Sequence, residues 1–231
     1  MFDISSAEWT AILLSLRVAV VATLVATPFG VALAWLLARR EFWGKSILDA
    51  AVHLPLVLPP VVTGYLLLLT FGKRGLVGAW LADHLGIVFA FRWTGAALAC
   101  GVMSFPLLVR PIRLSIEAVD RRLEQAAGTL GAAPWQVFLT VTLPLALPGV
   151  LAGMVLGFAK AIGEFGATIT FVSNIPGETQ TISSAIYSLI QSPEGDSAAL
   201  RLVVVSILLA MAALIGSEWF ARRALRRLHG N

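Results

Sequence analysis

The sequence is poor in the residues that build catalytic and metal sites. Its 231 residues include one cysteine, Cys100, and three scattered histidines. A single cysteine excludes an intramolecular disulfide and a metal site made of cysteines alone. There is no Walker A lysine loop, no Gly-x-Ser-x-Gly stretch and no metal-ligand spacing. We therefore expect no catalytic residue, no metal site and no cofactor bound by this chain itself.

Charge is also scarce. Charged residues make up 13% of the chain, against about 25% in an ordinary soluble domain. Hydrophobic residues make up 58%, and the mean hydropathy is +0.86, which indicates a membrane protein. The first 16 residues contain acidic side chains but no Lys or Arg, so they lack the basic start of a secretory signal. We expect the N-terminus to be retained.

Five apolar runs are long enough to cross a bilayer core of about 30 Å as helices. They cover about residues 10–37, 48–71, 94–116, 145–172 and 199–220. The predicted fold is all-α, with residues 1–231 forming one polytopic bundle of transmembrane helices.

Two connections between these runs are long and partly apolar, at residues 72–93 and 173–198. Either could hold a half-inserted or interfacial segment. A sixth short span therefore stays open.

The basic residues predict the orientation of the bundle. Eleven of the 17 follow the first, third and fifth runs, and the segment 171–200 has none. Those on the predicted cytoplasmic side are Arg39, Arg40, Lys45, Arg110, Arg113, Arg121, Arg122, Arg222, Arg223, Arg226 and Arg227. By the positive-inside rule the N-terminus lies outside and the C-terminus lies in the cytoplasm. This clustering at span ends also makes a nucleic-acid partner a poor explanation of the net charge of +4.

Prolines interrupt the second run. Pro55, Pro59 and Pro60 fall within six residues. Each removes a backbone donor and bends the helix. Kinked helices are tolerated where they line a cavity or pack against neighbours. We favour a conduit wall around Pro59 and Pro60, with packing alone as the alternative.

Small residues recur every four positions on the fourth run, at Gly149, Gly153, Gly157 and Ala161. Such a stripe lets two helix backbones approach closely in lipid. The partner helix could belong to this chain or to a second copy.

Lys160 and Glu164 lie on the same run, four residues apart. Ionisable groups in a membrane usually face a bundle interior or a water-filled cavity. The pair is either a pathway or gate element or a structural ion pair. Thr168 and Thr170 follow it and could offer neutral donors to an oxyanion.

The predicted cytoplasmic loop at 119–144 is helix-forming but not apolar enough for lipid. Gly131 can end a first helix there, and Pro134 can start a second. Trp135 and Phe138 are apolar side chains on this loop. It could fold back on the bundle or bind a water-soluble partner.

The same stretch resembles the EAA loop of ABC-importer permeases, which reads Glu-Ala-Ala, three residues, Gly, nine residues, Ile, one residue, Leu-Pro. The matching positions are Gln125, Ala126, Ala127, Gly131, Val141, Leu143 and Pro144. Gln125 stands where the motif has Glu, with Glu124 one position earlier. The resemblance implies an ATPase-coupling loop that includes Glu124, Gln125, Ala126, Ala127, Leu130, Gly131, Leu143 and Pro144.

Three further stretches, 54–64, 163–171 and 174–182, are similar to the permease subunits of molybdate importers. Sulfate permeases carry a similar Gly-Glu-Phe-Gly stretch, so tungstate, sulfate or thiosulfate remain alternatives to molybdate. The resemblance implies a type I ABC-importer permease fold in the cytoplasmic (inner) membrane. It also implies a second copy of the chain, two cytoplasmic ATPase subunits that bind ATP and Mg, and an external molybdate-binding protein. A membrane scaffold or receptor subunit and an integral membrane enzyme are the competing classes.

Overall fold

The computed structural model describes residues 4–228, which are mostly helical, with no strand among them. The helices are α1 (Ser6–Arg39), α2 (Lys45–Val57), α3 (Pro60–Phe71), α4 (Leu76–Leu85), α5 (Trp93–Glu117), α6 (Arg121–Thr129), α7 (Pro134–Val137), α8 (Leu143–Ile162), α9 (Gly166–Val172), α10 (Ile182–Leu189) and α11 (Asp196–Leu228). One π-helical turn, Phe138–Thr142, joins α7 to α8. The side chains of Arg222, Arg223, Arg226 and Arg227 lie outside the described part of the structure.

Four helical segments are long and apolar enough to cross a membrane. They are Ser6–Arg39, Trp93–Glu117, Pro134–Ile162 and the first part of α11. The pair α2 and α3 passes the same test together, which makes up to five spans. The prediction of an all-α bundle of membrane-spanning helices is confirmed.

The second span is broken rather than kinked. α2 and α3 meet at an angle of 115° instead of forming the single run 48–71. Leu58 precedes two prolines and is extended, with φ −69° and ψ 143°. A proline disfavours the helical conformation of the residue before it and has no N–H to continue the hydrogen bonding. The proline pair therefore ends one helix and starts the next.

The fourth span also differs from the single run 145–172. α8 ends at Ile162, and α9 starts at Gly166. On the other side, α8 continues from α7 through the π-turn, so helical structure begins at Pro134. Leu143 and Pro144 therefore lie within a continuous helical column, not at the end of a loop.

The π-turn has a local cause. Leu143 N–H donates to Phe138 O, five residues back. Pro144 follows it, and a proline ring in a helix clashes with the carbonyl four residues earlier, which is that of Thr140. A widened turn accommodates this ring without ending the helix.

The central helix of the bundle is α5, which packs against both α1 and α8. Its buried side chains include Ala96, Ala99 and Cys100 towards one end and Leu108 and Ile112 towards the other. Small residues towards one end let α1 and α8 pack closely around it there.

The glycine stripe of α8 faces α5 of the same chain. A Cβ on Gly153 would lie 2.5 Å from Leu108 O, and one on Gly149 would lie 2.7 Å from Pro111 O. A Cβ on Gly157 would lie at an ordinary contact distance from Leu108. Ala161 O accepts a hydrogen bond from Cys100 Sγ at 3.5 Å. The helix-packing face thus has its partner within the chain.

Neither connecting helix can be a sixth span. α4 has 10 residues and α10 has 8. At 1.5 Å per residue they are about 15 Å and 12 Å long, no more than half the thickness of a bilayer core of about 30 Å.

Candidate pathway junction and coupling site

The two interrupted spans contact each other at their breaks. A Cβ on Gly166 would lie 2.7 Å from Pro60 Cβ, and one on Gly64 would lie 2.5 Å from Ala167 O. Only glycine permits this approach of α3 to α9. The structure thus brings the predicted pathway prolines next to the Gly-Glu-Phe-Gly stretch. We call this contact the junction, defined by residues 58–64 and 163–170.

Glu164 lies between α8 and α9 and is 1% exposed. Its Oε2 accepts from Lys160 Nζ at 2.6 Å, and its Oε1 accepts from Ala167 N at 3.0 Å. The spacing predicts that the two charges share one helix face, but α8 ends at Ile162, so Glu164 lies outside the helix that carries Lys160. The carboxylate instead caps the start of α9 while it pairs with Lys160.

The two predicted threonine donors are bonded within α9. Thr168 Oγ1 donates to Phe165 O at 2.9 Å, and Thr170 Oγ1 donates to Gly166 O at 2.8 Å. In this conformation their hydroxyl protons are not offered to a passing anion. Pro59 is the residue before the first turn of α3 and marks the break itself.

Thr63 is a junction residue that the sequence reasoning missed. It is buried on α3, and its Oγ1 has no hydrogen-bond partner among the described residues. Buried polar atoms are normally paired, so a buried hydroxyl without a partner is an unusual feature of the junction. Its sequence signal is a lone hydroxyl in an apolar run, three residues after the double proline.

The ends of helix α6 are set by two local features. Asp120 Oδ1 accepts from Arg122 N at 2.9 Å, which caps the start. Gly131 has φ +89°, a left-handed conformation that favours glycine, and follows the end. The Gly131 position predicted from the motif is thus the C-terminal stop of α6.

No residue of α6 is buried. Gln125 and Ala126 are exposed, Ala127 is half-buried, and Leu130 is 89% exposed. Trp135 at the start of α7 is 64% exposed. An apolar, uncovered surface on a segment too polar for lipid suits a protein partner.

Glu124 points the other way, into the chain. Its Oε1 accepts from Arg39 Nε at 3.1 Å, from Arg39 Nη2 at 2.9 Å and from Thr142 Oγ1 at 2.7 Å. Arg39 Nη2 also donates to Val119 O at 3.0 Å. Glu124 therefore connects α6 to the end of α1 and to the π-turn before α8, and we call this set of contacts the α6 node. The sequence marks Arg39 only as a topology signal, and no motif in it singles out Thr142.

The architecture defines the class of protein. The chain superimposes on a bacterial ABC transporter involved in import of the acidic polysaccharide alginate with a TM-score of 0.73, at 19% identity over 95% of this chain and 80% of that one. A second alginate transporter structure, in complex with a pentasaccharide-bound periplasmic protein, gives 0.71 at 21% identity over 98% and 81%. The inward-facing MetNI methionine transporter gives 0.68 at 14% identity over 94% and 93%. The fold is that of type I ABC-importer permeases.

The sequence comparison then gives the family. Residues 26–226 match the family described as "Binding-protein-dependent transport system inner membrane component". The chain is 62% identical to the molybdenum transport system permease protein ModB of Escherichia coli K12 over 95% of this chain and 96% of that protein. It is 56% identical to ModB of Haemophilus influenzae, with 96% of each covered. It is 35% identical to a probable sulfate transport system permease of Nephroselmis olivacea over 89% of this chain and 72% of that protein. The chain belongs to the family of binding-protein-dependent transport system inner membrane components, and it is a multi-pass transport permease.

Proposed function

We propose that this chain is the membrane-spanning subunit of an ATP-driven importer of molybdate. The observation that carries the proposal is the 62% identity to the E. coli molybdenum permease along 95% of the chain. Within the sequence, the similarity extends through both the junction and α6.

The proposed assembly contains two copies of this chain, two cytoplasmic ATPase subunits and an external molybdate-binding protein. ATP and Mg bind to the ATPase subunits, and this chain contributes no cofactor of its own. The N-terminus lies outside and the C-terminus in the cytoplasm, an orientation supported by the basic residues after α1 and α5. The alginate transporter whose structure includes a periplasmic protein has the same fold, which supports an external binding partner.

In this proposal α6 is the coupling helix. Its exposed side, with Gln125, Ala126 and Leu130, meets a groove of the ATPase. Its inward side, with Glu124, passes the movement to α1 through Arg39 and to α8 through Thr142. ATP-driven closure of the ATPase pair would then rock the spans between inward-open and outward-open states.

The junction is the proposed gate. α8 leads from the α6 node to Lys160, and Glu164 joins α8 to α9. A change in the angle between these helices would move α3 as well, because Gly64 and Gly166 hold the two breaks together. Contacts with the anion should be weak, since tight binding would slow its release, so specificity rests mainly with the external binding protein.

A permease for another tetrahedral oxyanion is the second candidate. The 35% identity to the probable sulfate permease of N. olivacea favours sulfate or thiosulfate as the alternative, with tungstate as a close analogue of molybdate. The identity to the E. coli molybdenum permease is higher, at 62%, and this favours molybdate over sulfate.

Uptake by reconstituted vesicles tests the proposal. Liposomes containing this chain, its ATPase and its binding protein should accumulate radiolabelled molybdate only when ATP is present. Excess sulfate should leave that uptake intact. Uptake abolished by sulfate would indicate that the chain is a sulfate permease. If an assembled complex takes up neither anion, the proposal that the chain belongs to an importer is refuted.

Gly131→Asp tests the coupling role of α6. The variant should insert and assemble, but ATP hydrolysis should no longer drive uptake. Gly177→Asp is the matched control, because Gly177 also has a positive φ of +80° and open space around it but lies outside the coupling segment. Equal uptake by the two variants would contradict coupling through α6.

A further inference from the structure

A cavity of about 390 Å³ lies at the α6 node, between the end of α1, α6 and the turn that leads into α8. Its floor is aromatic: Trp35 and Phe138 meet edge to face with ring centroids 5.9 Å apart. Its walls carry Arg39, Arg40 and Arg121. The combination is a basic recess with an apolar base.

The charges of this recess do not balance. Arg39 is neutralised by Glu124 at 2.9 Å. Arg40 lies over the Trp35 ring at 5.7 Å, and within the described residues neither Arg40 nor Arg121 forms an ion pair. Two positive charges therefore remain at its mouth.

The nearby carboxylate of Glu41 does not cancel them. Glu41 pairs with Lys45 at 2.7 Å, so that pair is neutral as a unit. The hydrogen bond from Lys45, helped by the nearby charge of Arg121, holds the pKa of Glu41 below its ordinary value. Glu41 thus stays an anion bound to its own lysine.

The recess lies at the depth of a membrane interface. It sits where α1 ends at Arg39, after a long apolar span. Trp35 lines it, and Trp43, 96% exposed, follows a few residues later. Tryptophans are typical of the headgroup level. Further along α1 towards the membrane, Leu24 and Phe29 are exposed, as expected of a lipid-facing surface.

We infer that this recess binds a phosphate-type oxyanion, and that the phosphate comes from the headgroup of an anionic phospholipid in the cytoplasmic leaflet. Arg40 and Arg121 donate to the phosphate, since guanidinium groups match phosphate geometry. Basic pockets between membrane helices on the cytoplasmic side suit such headgroups. The aromatic floor accepts the glycerol and the first acyl carbons. A lipid bound there would touch Trp35, Phe138 and α6 together, next to the contacts of Glu124.

The test measures lipid bound to the purified complex of this chain with its ATPase subunits. The complex is exchanged into detergent with phosphatidylglycerol or phosphatidylcholine, and bound lipid is counted by native mass spectrometry. Wild type should retain phosphatidylglycerol in preference to phosphatidylcholine. Arg40→Gln/Arg121→Gln should bind phosphatidylglycerol about thirtyfold more weakly, at roughly fivefold for each lost charge.

Two control variants isolate the recess. Lys73→Gln/Arg74→Gln removes two exposed basic charges between α3 and α4, outside the recess, and should retain the lipid. Arg40→Lys/Arg121→Lys keeps the charge and should restore most of the binding. This variant also provides a test of the recess if the neutral variant assembles poorly. Equal lipid retention by the Gln double variant and wild type would overturn the inference, as would an assembled wild-type complex that retains neither lipid.

An inorganic phosphate arm separates the two sources of the anion. Millimolar phosphate that fails to displace phosphatidylglycerol supports the lipid headgroup. Phosphate that displaces it, and binds without lipid in an Arg121-dependent way, supports the recess but assigns it to a free oxyanion.

Discussion

Two glutamates, Glu164 and Glu124, use the same chemistry for different purposes. Each carboxylate accepts hydrogen bonds from a basic side chain and from a second group. Glu164 has both partners within four residues of itself, and it is 1% exposed. Glu124 joins Arg39, 85 residues away, and Thr142, 18 residues away. A local carboxylate holds the angle between consecutive helices, whereas a long-range one connects segments that would otherwise move separately.

The surroundings of the two glutamates differ in the same way. The junction is held by glycine backbones in direct contact with another helix, at Gly64 and Gly166. α6 has no buried residue and depends on polar contacts and caps. Segments with few buried apolar contacts open at low free energy. The junction should therefore move as one rigid unit, whereas α6 should adjust more easily.

The largest expected effect is at the junction. Lys160→Met leaves Glu164 buried without its counter-charge, which should destabilise the complex by about 3 kcal/mol, the low end for a broken buried pair because Lys160 is 30% exposed. Molybdate uptake should fall at least tenfold. Lys160→Met/Glu164→Gln should recover part of both quantities, measured by thermal unfolding and by uptake. A double variant that is worse than both single variants would show that the two side chains do not act as a pair.

The next effect tests whether glycine packing makes the membrane part rigid. Gly153→Ala places a Cβ 2.5 Å from Leu108 O and should cost about 1–3 kcal/mol of stability. Gly157→Ala is the matched control, since its Cβ would lie 3.6 Å from the nearest atoms of Leu108 and should change stability by less than about 0.5 kcal/mol. Thermal unfolding of the two variants side by side gives the comparison. Equal unfolding temperatures would mean that α8 and α5 are not closely packed in the membrane.

A smaller effect on stability, but a specific one on function, is expected at the α6 node. Glu124→Gln keeps an acceptor for Thr142 but loses the charge that holds Arg39, with a stability loss of about 1–2 kcal/mol. The ratio of molybdate transported to ATP hydrolysed should fall several-fold. Glu117→Gln removes an exposed carboxylate that pairs with Arg113 within α5, outside α6 and its contacts, and serves as the control. If Glu124→Gln lowers uptake and hydrolysis in the same proportion, the node supports assembly rather than transmission.

The smallest effect concerns the end of α6. Gly131→Ala forces a side chain into φ +89° and should destabilise this turn by about 1 kcal/mol. Gly128→Ala lies inside the same helix with open space around it and should stabilise it by about 0.5–1 kcal/mol. Protease digestion within residues 119–134 of the assembled complex should be faster for the first variant and slower for the second. The opposite order would mean that Gly131 is not the turn that stops the helix.

The number and type of the spans followed from composition and run length, because apolar segments of about 20 residues have one stable form in lipid. The stretch from Gln125 to Pro134 likewise predicts a helix, a glycine stop and a proline start, and α6, Gly131 and α7 lie at those positions. Where the prediction was wrong, several local signals competed. Residues 48–71 and 145–172 read as single spans because their hydropathy is continuous, yet their proline and glycine pairs break both helices.

By itself, the sequence determined the class of the fold, the helix stop at Gly131 with the start at Pro134, and the family, because these depend on local composition and motif spacing. Tertiary structure alone decided that the two breaks touch, that the glycine stripe of α8 faces α5, and that Glu124 turns inward to Arg39. Those outcomes depend on which surfaces meet across the bundle. The hydrophobic periodicity of α6 cannot predict that Glu124 contacts residues 18 and 85 positions away. Those contacts form only once the intervening helices have packed.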